Sequence, residues 1–68
     1  MYRSILWNKH EEIIFVKDYS TFEESLKFLN IEIDERKNVP LLKACIYKFL
    51  NPEENQSMAM VASLRTIR

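Results

Sequence analysis

One apolar run sets the terms for this chain. Leu41 to Leu50, read as LLKACIYKFL, is bracketed by Pro40 on one side and Asn51-Pro52 on the other. Proline has no amide donor and a fixed φ, so both flanks act as punctuation. At about 100° per residue a helix gathers Leu41, Leu42, Cys45, Ile46, Phe49 and Leu50 on one half of its cylinder. Lys43, Ala44, Tyr47 and Lys48 share the other half. An apolar arc of about 180° is wider than a surface helix needs. The run is therefore expected to be a central helix, buried or shared with a partner. Burying its large side chains contributes on the order of 10 kcal/mol gross. Chain ordering consumes most of such a gain in a small scaffold, so the remaining segments must cover the run.

The chain has 68 residues and is expected to form one domain over 1–68. Its single cysteine, Cys45, cannot make an internal disulfide, and no paired Cys/His spacing offers a metal site. The start, MYRSILWN, is too short for a signal-peptide apolar region, and no run approaches a membrane span. A soluble, cytoplasmic protein with no membrane partner is the expectation. Ten basic and ten acidic residues cancel, which gives nucleic-acid binding no support, although segregated charge would permit it. Near-zero net charge also favours association, including self-association.

Glycine is absent. This removes the Gly-rich phosphate loop and the dinucleotide fingerprint. It also leaves asparagine as the residue best suited to left-handed turns, and Asn8, Asn30, Asn38, Asn51 and Asn55 fall at or beside expected boundaries.

In chain order, Tyr2–Trp7 and Glu12–Lys17 read as two strands of a hairpin joined by Asn8–Glu11. Ser20 with Glu23, or Thr21 with Glu24, offers a capping box for a helix whose stripe is Phe22, Leu26 and Leu29. Asn30 is the expected left-handed cap. Ile31–Asp34 reads as a short link or a continuation of that helix, and Glu35–Lys37 as a charged loop. After the central run, Asn51-Pro52-Glu53-Glu54 looks like a helix start. A helix from Pro52 to about Thr66 is favoured on Met, Ala and Leu propensity. A strand is the alternative, because Met58, Met60, Ala62 and Leu64 alternate with Ser57, Ala59, Val61 and Ser63. The expected fold is α+β: an N-terminal β-hairpin followed by about three helices packed around the apolar helix 41–50.

Candidate chemistry is sparse. Cys45 lies mid-face in the apolar run, where a buried packing role is expected rather than a reactive thiolate. His10 is the only histidine and falls in the hairpin connector. The pairs Glu23-Glu24 and Glu53-Glu54 are accounted for by helix N-terminal electrostatics, and Glu11-Glu12 by a charged hairpin end. No catalytic residue, metal or cofactor is expected. Aromatics and arginine are enriched in binding hot spots, and Trp7, Tyr47, Lys43, Lys48 and Arg65 are the partner-binding candidates, with core packing the alternative for Trp7 and Tyr47. The expected partner is another protein or a second copy, as a homodimer.

The order strand, helix, helix over Ile13 to Leu50 is similar to that of ribbon-helix-helix DNA-binding dimers, in which the second, broadly apolar helix builds the dimer core. The likeness lies in element order alone. The Ile13–Val16 stretch is apolar on both faces, and the glycine usual between the two helices is absent. Two function classes follow: a non-catalytic regulatory protein of inhibitor, antirepressor or adaptor type, and, as its alternative, a small dimeric DNA-binding regulator.

Overall fold

In a computed structural model of the chain, residues 1–50 and 57–64 are described. The elements are β1 (Tyr2–Asn8), β2 (Ile13–Tyr19), α1 (Phe22–Glu35), β3 (Leu41–Phe49) and β4 (Met58–Leu64). The strands form one antiparallel sheet in the order β2-β1-β3-β4. Helix α1 carries the chain from β2 across β1 to β3 and lies on one face of the sheet.

The hairpin expected at the N-terminus is present, and Asn8 builds its turn. The Asn8 side-chain oxygen accepts from the amides of His10 and Glu12 at 2.9 and 3.0 Å. Such an Asx arrangement replaces a backbone turn with a side chain. The left-handed position falls on Glu11, at φ 63°, and it is the one non-glycine residue with positive φ among the described residues. Asparagine therefore serves this turn through its amide, not through its backbone freedom.

The start of α1 follows the second of the two capping registers. Thr21 is the N-cap, its hydroxyl accepting from the Glu24 amide at 3.2 Å and donating to the Glu24 carboxylate at 3.2 Å. The helix does not stop at Asn30. It continues through Ile31–Asp34 to Glu35, and Arg36 is the C-cap. The reason is periodicity: Phe22, Leu26, Leu29 and Ile33 form one stripe, and Ile33 extends it over the core. Arg36 closes the last turn by donating to the Glu32 carbonyl at 3.0 Å and pairing with the Glu32 carboxylate.

The central run is a strand, not a helix, and the expected bundle of about three helices is replaced by a four-stranded sheet carrying one helix. The physical reason is burial on both faces. Leu41, Ala44 and Ile46 join Leu6 and Leu29 in the core beneath α1, while Cys45 and Phe49 are buried on the opposite side. A strand apolar on both faces reads as a continuous apolar run, which periodicity alone does not separate from a buried helix. Pro40 fits this reading equally well, since it precedes the first residue of the strand. The ribbon-helix-helix order is lost with the second helix.

The C-terminal helix is likewise corrected over Met58–Leu64, which is strand β4. The alternation there is the true period. It is broken once, where Ile46 pairs with Ala62 but Tyr47 pairs with Met60, so Val61 is an extra residue in a bulge. The helix start at Asn51–Glu54 and the segment beyond Leu64 lie outside the described residues, as do Asn55 and Arg65.

Two serines join sheet and helix. Ser4 and Ser25 are both fully buried, and the Ser4 hydroxyl donates to the Ser25 carbonyl at 3.1 Å. The Ser25 hydroxyl donates in turn to the Phe22 carbonyl at 2.6 Å. Small side chains let the helix backbone approach, and the hydrogen bonds remove the cost of burying the hydroxyls. Tyr2 packs edge-on to Phe22 with ring centroids 5.9 Å apart, which extends the contact to the start of both elements.

Candidate functional site

Among the described residues, no helix lies over the second face of the sheet. Residues paired across a ladder project to the same side, so the register defines this face row by row. Trp7 pairs with Ile13 and Lys43; Ile5 pairs with Val16 and Cys45, and Cys45 with Ser63. Arg3 pairs with Asp18 and Tyr47, and Tyr47 with Met60; Phe49 pairs with Met58 beyond them. Most of these thirteen positions are apolar or aromatic. Ile13, Val16 and Met60 are 55, 48 and 57% exposed, which a covering layer within this chain would not leave.

Two cations lie flat on this surface. The Lys43 ammonium is 4.4 Å from the centroid of the Trp7 ring, and the Arg3 guanidinium is 4.9 Å from that of Phe49. Each contact shields an aromatic face while keeping its charge toward water. Arg3 also forms a two-pronged pair with Asp18, at 2.7 and 3.1 Å, and this carboxylate holds the guanidinium even more firmly charged than usual. Among the described residues no carboxylate pairs with Lys43.

Between these two bulky rows lies a lower one. Ile5 and Cys45 are buried, with Trp7 and Lys43 in the row on one side and Arg3 and Tyr47 in the row on the other. The Cys45 thiol is 3.9 Å from the Ser63 hydroxyl. Burial pushes the Tyr47 phenol above its ordinary range, and neighbouring Cys45 adds to this.

Three of the five candidate residues from the sequence, Trp7, Lys43 and Tyr47, are therefore on one surface. Lys48 is not. It pairs with Tyr2, which packs on α1, and so projects to the helix side. Arg65 lies outside the described residues. Arg3, Ile5, Val16, Phe49 and Met60 complete the surface without having been singled out. Their signal was the period-2 alternation of Cys45, Tyr47 and Phe49 with Ala44, Ile46 and Lys48, which the helical wheel concealed.

Other parts of the molecule offer less. His10 is exposed in the β1–β2 turn, while Cys45 sits mid-strand in β3. Among the described residues no three His, Cys, Asp or Glu side chains are grouped to hold a metal ion, and no helix is long and apolar enough to cross a membrane. A shallow depression at the end of α1, lined by Ile31, Asp34, Arg36 and Val39, is broadly open to solvent.

Comparison with protein families, curated proteins and solved structures finds no match to this chain. The functional reading therefore rests on the geometry of its own residues.

Proposed function

We propose that this chain is a non-catalytic regulatory protein that acts by protein–protein contact through the helix-free face of its sheet. The observation that carries the reading is the exposure of Ile13, Val16 and Met60 beside Trp7 and Tyr47 on one continuous, uncovered surface. Contiguous apolar patches on small domains mark interaction sites. Aromatic rings and arginine at the centre, with a polar or charged rim, are the composition of binding hot spots. An inhibitor, antirepressor or adaptor needs no more than such a surface.

The test is affinity capture from the native cell, with nuclease-treated controls and mass spectrometry, run in parallel on the wild type, Trp7→Ala and Tyr47→Ala. The expected result is a protein retained by the wild type and lost from both variants while their circular dichroism is unchanged. Retention that is indifferent to both substitutions, or that vanishes on nuclease treatment, overturns the proposal.

A further inference from the structure

We propose that the outer edge of β2 takes an extended segment of another protein as an antiparallel fifth strand, with a carboxylate opposite Lys17. The inference concerns the edge of the sheet and stands apart from the reading of its open face.

The backbone comes first. The Phe49 amide donates to the Met1 carbonyl at 3.1 Å. In an antiparallel ladder bonded pairs recur at every second residue, so Arg3 is bonded to Tyr47 and Ile5 to Cys45. The even-numbered residues of β1 then turn their backbone groups to β2, and Tyr2, Ser4 and Leu6 are bonded to Tyr19, Lys17 and Phe15. Val16 and Asp18 alternate with these, so their N–H and C=O groups point away from β1. Among the described residues no strand lies on that side. A row of unpaired donors and acceptors is a template for an added strand, and antiparallel addition continues the sheet.

The side chains define what that strand carries. Val16 is exposed on the open face, so an apolar residue opposite it extends that face. Lys17 is exposed and projects to the helix side, as its partner Ser4 does. Its ammonium lies 5.7 Å from the Tyr19 ring centroid, near the limit of a cation–ring contact. Among the described residues no carboxylate pairs with it. The helix carboxylates that act on Tyr19 are engaged elsewhere, Glu24 with the Thr21 hydroxyl and Glu32 with Arg36. Toward an added strand Lys17 stands in a non-bonded pair, where opposed side chains come closest. An opposite charge there is favourable and a like charge is not.

This requirement separates another protein from a second copy. Strand β4 has no acidic residue. In β2 only Phe15, Lys17 and Tyr19 have the backbone phase to stand opposite Lys17. The carboxylate must come from a different chain. The edge lysine discourages self-pairing and leaves the edge open to an acidic strand.

The probe is a blocked pentapeptide, Thr-Val-Glu-Val-Thr, with Thr-Val-Lys-Val-Thr as its counterpart. Amide proton shifts of the full chain are followed by NMR as each is added up to about 10 mM, the range in which a few main-chain bonds give measurable binding. The Val16 and Asp18 amide protons are expected to move downfield and saturate, while those of Lys17 and Tyr19, already bonded to β1, move less. The glutamate peptide is expected to bind roughly threefold more tightly than the lysine peptide, and Lys17→Glu to reverse that order. Val16→Pro removes an outward donor and spares the β1 ladder, so it is expected to abolish the Asp18 shift, whereas Val16→Ala retains it. Circular dichroism checks that each variant folds; if Val16→Pro does not, the reversal in Lys17→Glu decides. Absent shifts at both amides, shifts confined to another strand, or equal binding of the two peptides overturns the proposal. So does movement of these amides on concentrating the chain alone, which would mean that a second copy fills the edge.

Discussion

Arg3 shows how one side chain serves two tasks on this surface. Its guanidinium pairs with Asp18 and covers Phe49 at 4.9 Å. The ion pair is about one-third exposed on both sides, at 30 and 36%, so solvent screens most of its Coulomb energy. Asp18→Ala is expected to lower unfolding stability by less than about 1 kcal/mol in urea titration. Arg3→Ala is expected to cost more than Asp18→Ala, because it also strips the cover from Phe49. Equal effects would show that the cation–ring contact contributes nothing. The tyrosines give a pH signature. Burial raises the Tyr19 and Tyr47 phenols above their ordinary value of 10.0, with Glu32 and Glu24 adding to the effect at Tyr19. The folded chain then keeps these protons where the unfolded chain has lost them. Stability is intact below the unfolded value and falls as pH rises through the raised folded ones. The urea midpoint should be lower at about pH 11 than at about pH 8, and Tyr47→Phe should remove part of that loss.

At the level of elements, local chemistry was legible where a single signal had no competitor. The Thr21 cap is one case: removing its hydroxyl in Thr21→Ala is expected to cost about 1 kcal/mol, read from thermal or urea unfolding. The hairpin of β1 and β2 is another, because β-branched residues, an Asx turn and a polar connector agree. The segment Leu41–Phe49 was not legible as a strand. Its apolar residues satisfy a helical stripe and a strand buried on both faces at once, and only the neighbouring strands decide between them. Strand β4 failed for a related reason: Met, Ala and Leu favour helix locally, and pairing with β3 overrides that preference. Core packing can be tested through Leu29, the fully buried leucine of α1, which clusters with Leu6 and Ile46. Leu29→Ala is expected to cost about 2–5 kcal/mol.

For the molecule as a whole, the described residues place one helix over one face of a four-stranded sheet, and on the second face Ile13, Val16 and Met60 stay exposed. The sequence showed the excess of apolar residues around 41–50 and pointed to Trp7, Lys43 and Tyr47, but it put Lys43 and Tyr47 on a helix and Trp7 at the end of a separate strand. Register brings them together instead, which is non-local information that no window along the chain contains. The surplus first attributed to a helix that continues into a partner belongs to the open side of the sheet. Trp7 lies on that side and is the chain's one tryptophan, so its fluorescence reports on this face alone. The most direct measurement is its emission as a protein captured from the native cell is added, for the wild type and Val16→Glu. A shift to shorter wavelength on addition in the wild type, and a smaller shift or none in Val16→Glu, is the predicted result. A Trp7 emission that does not move in the wild type on adding any captured protein would contradict the claim that this face is a contact surface.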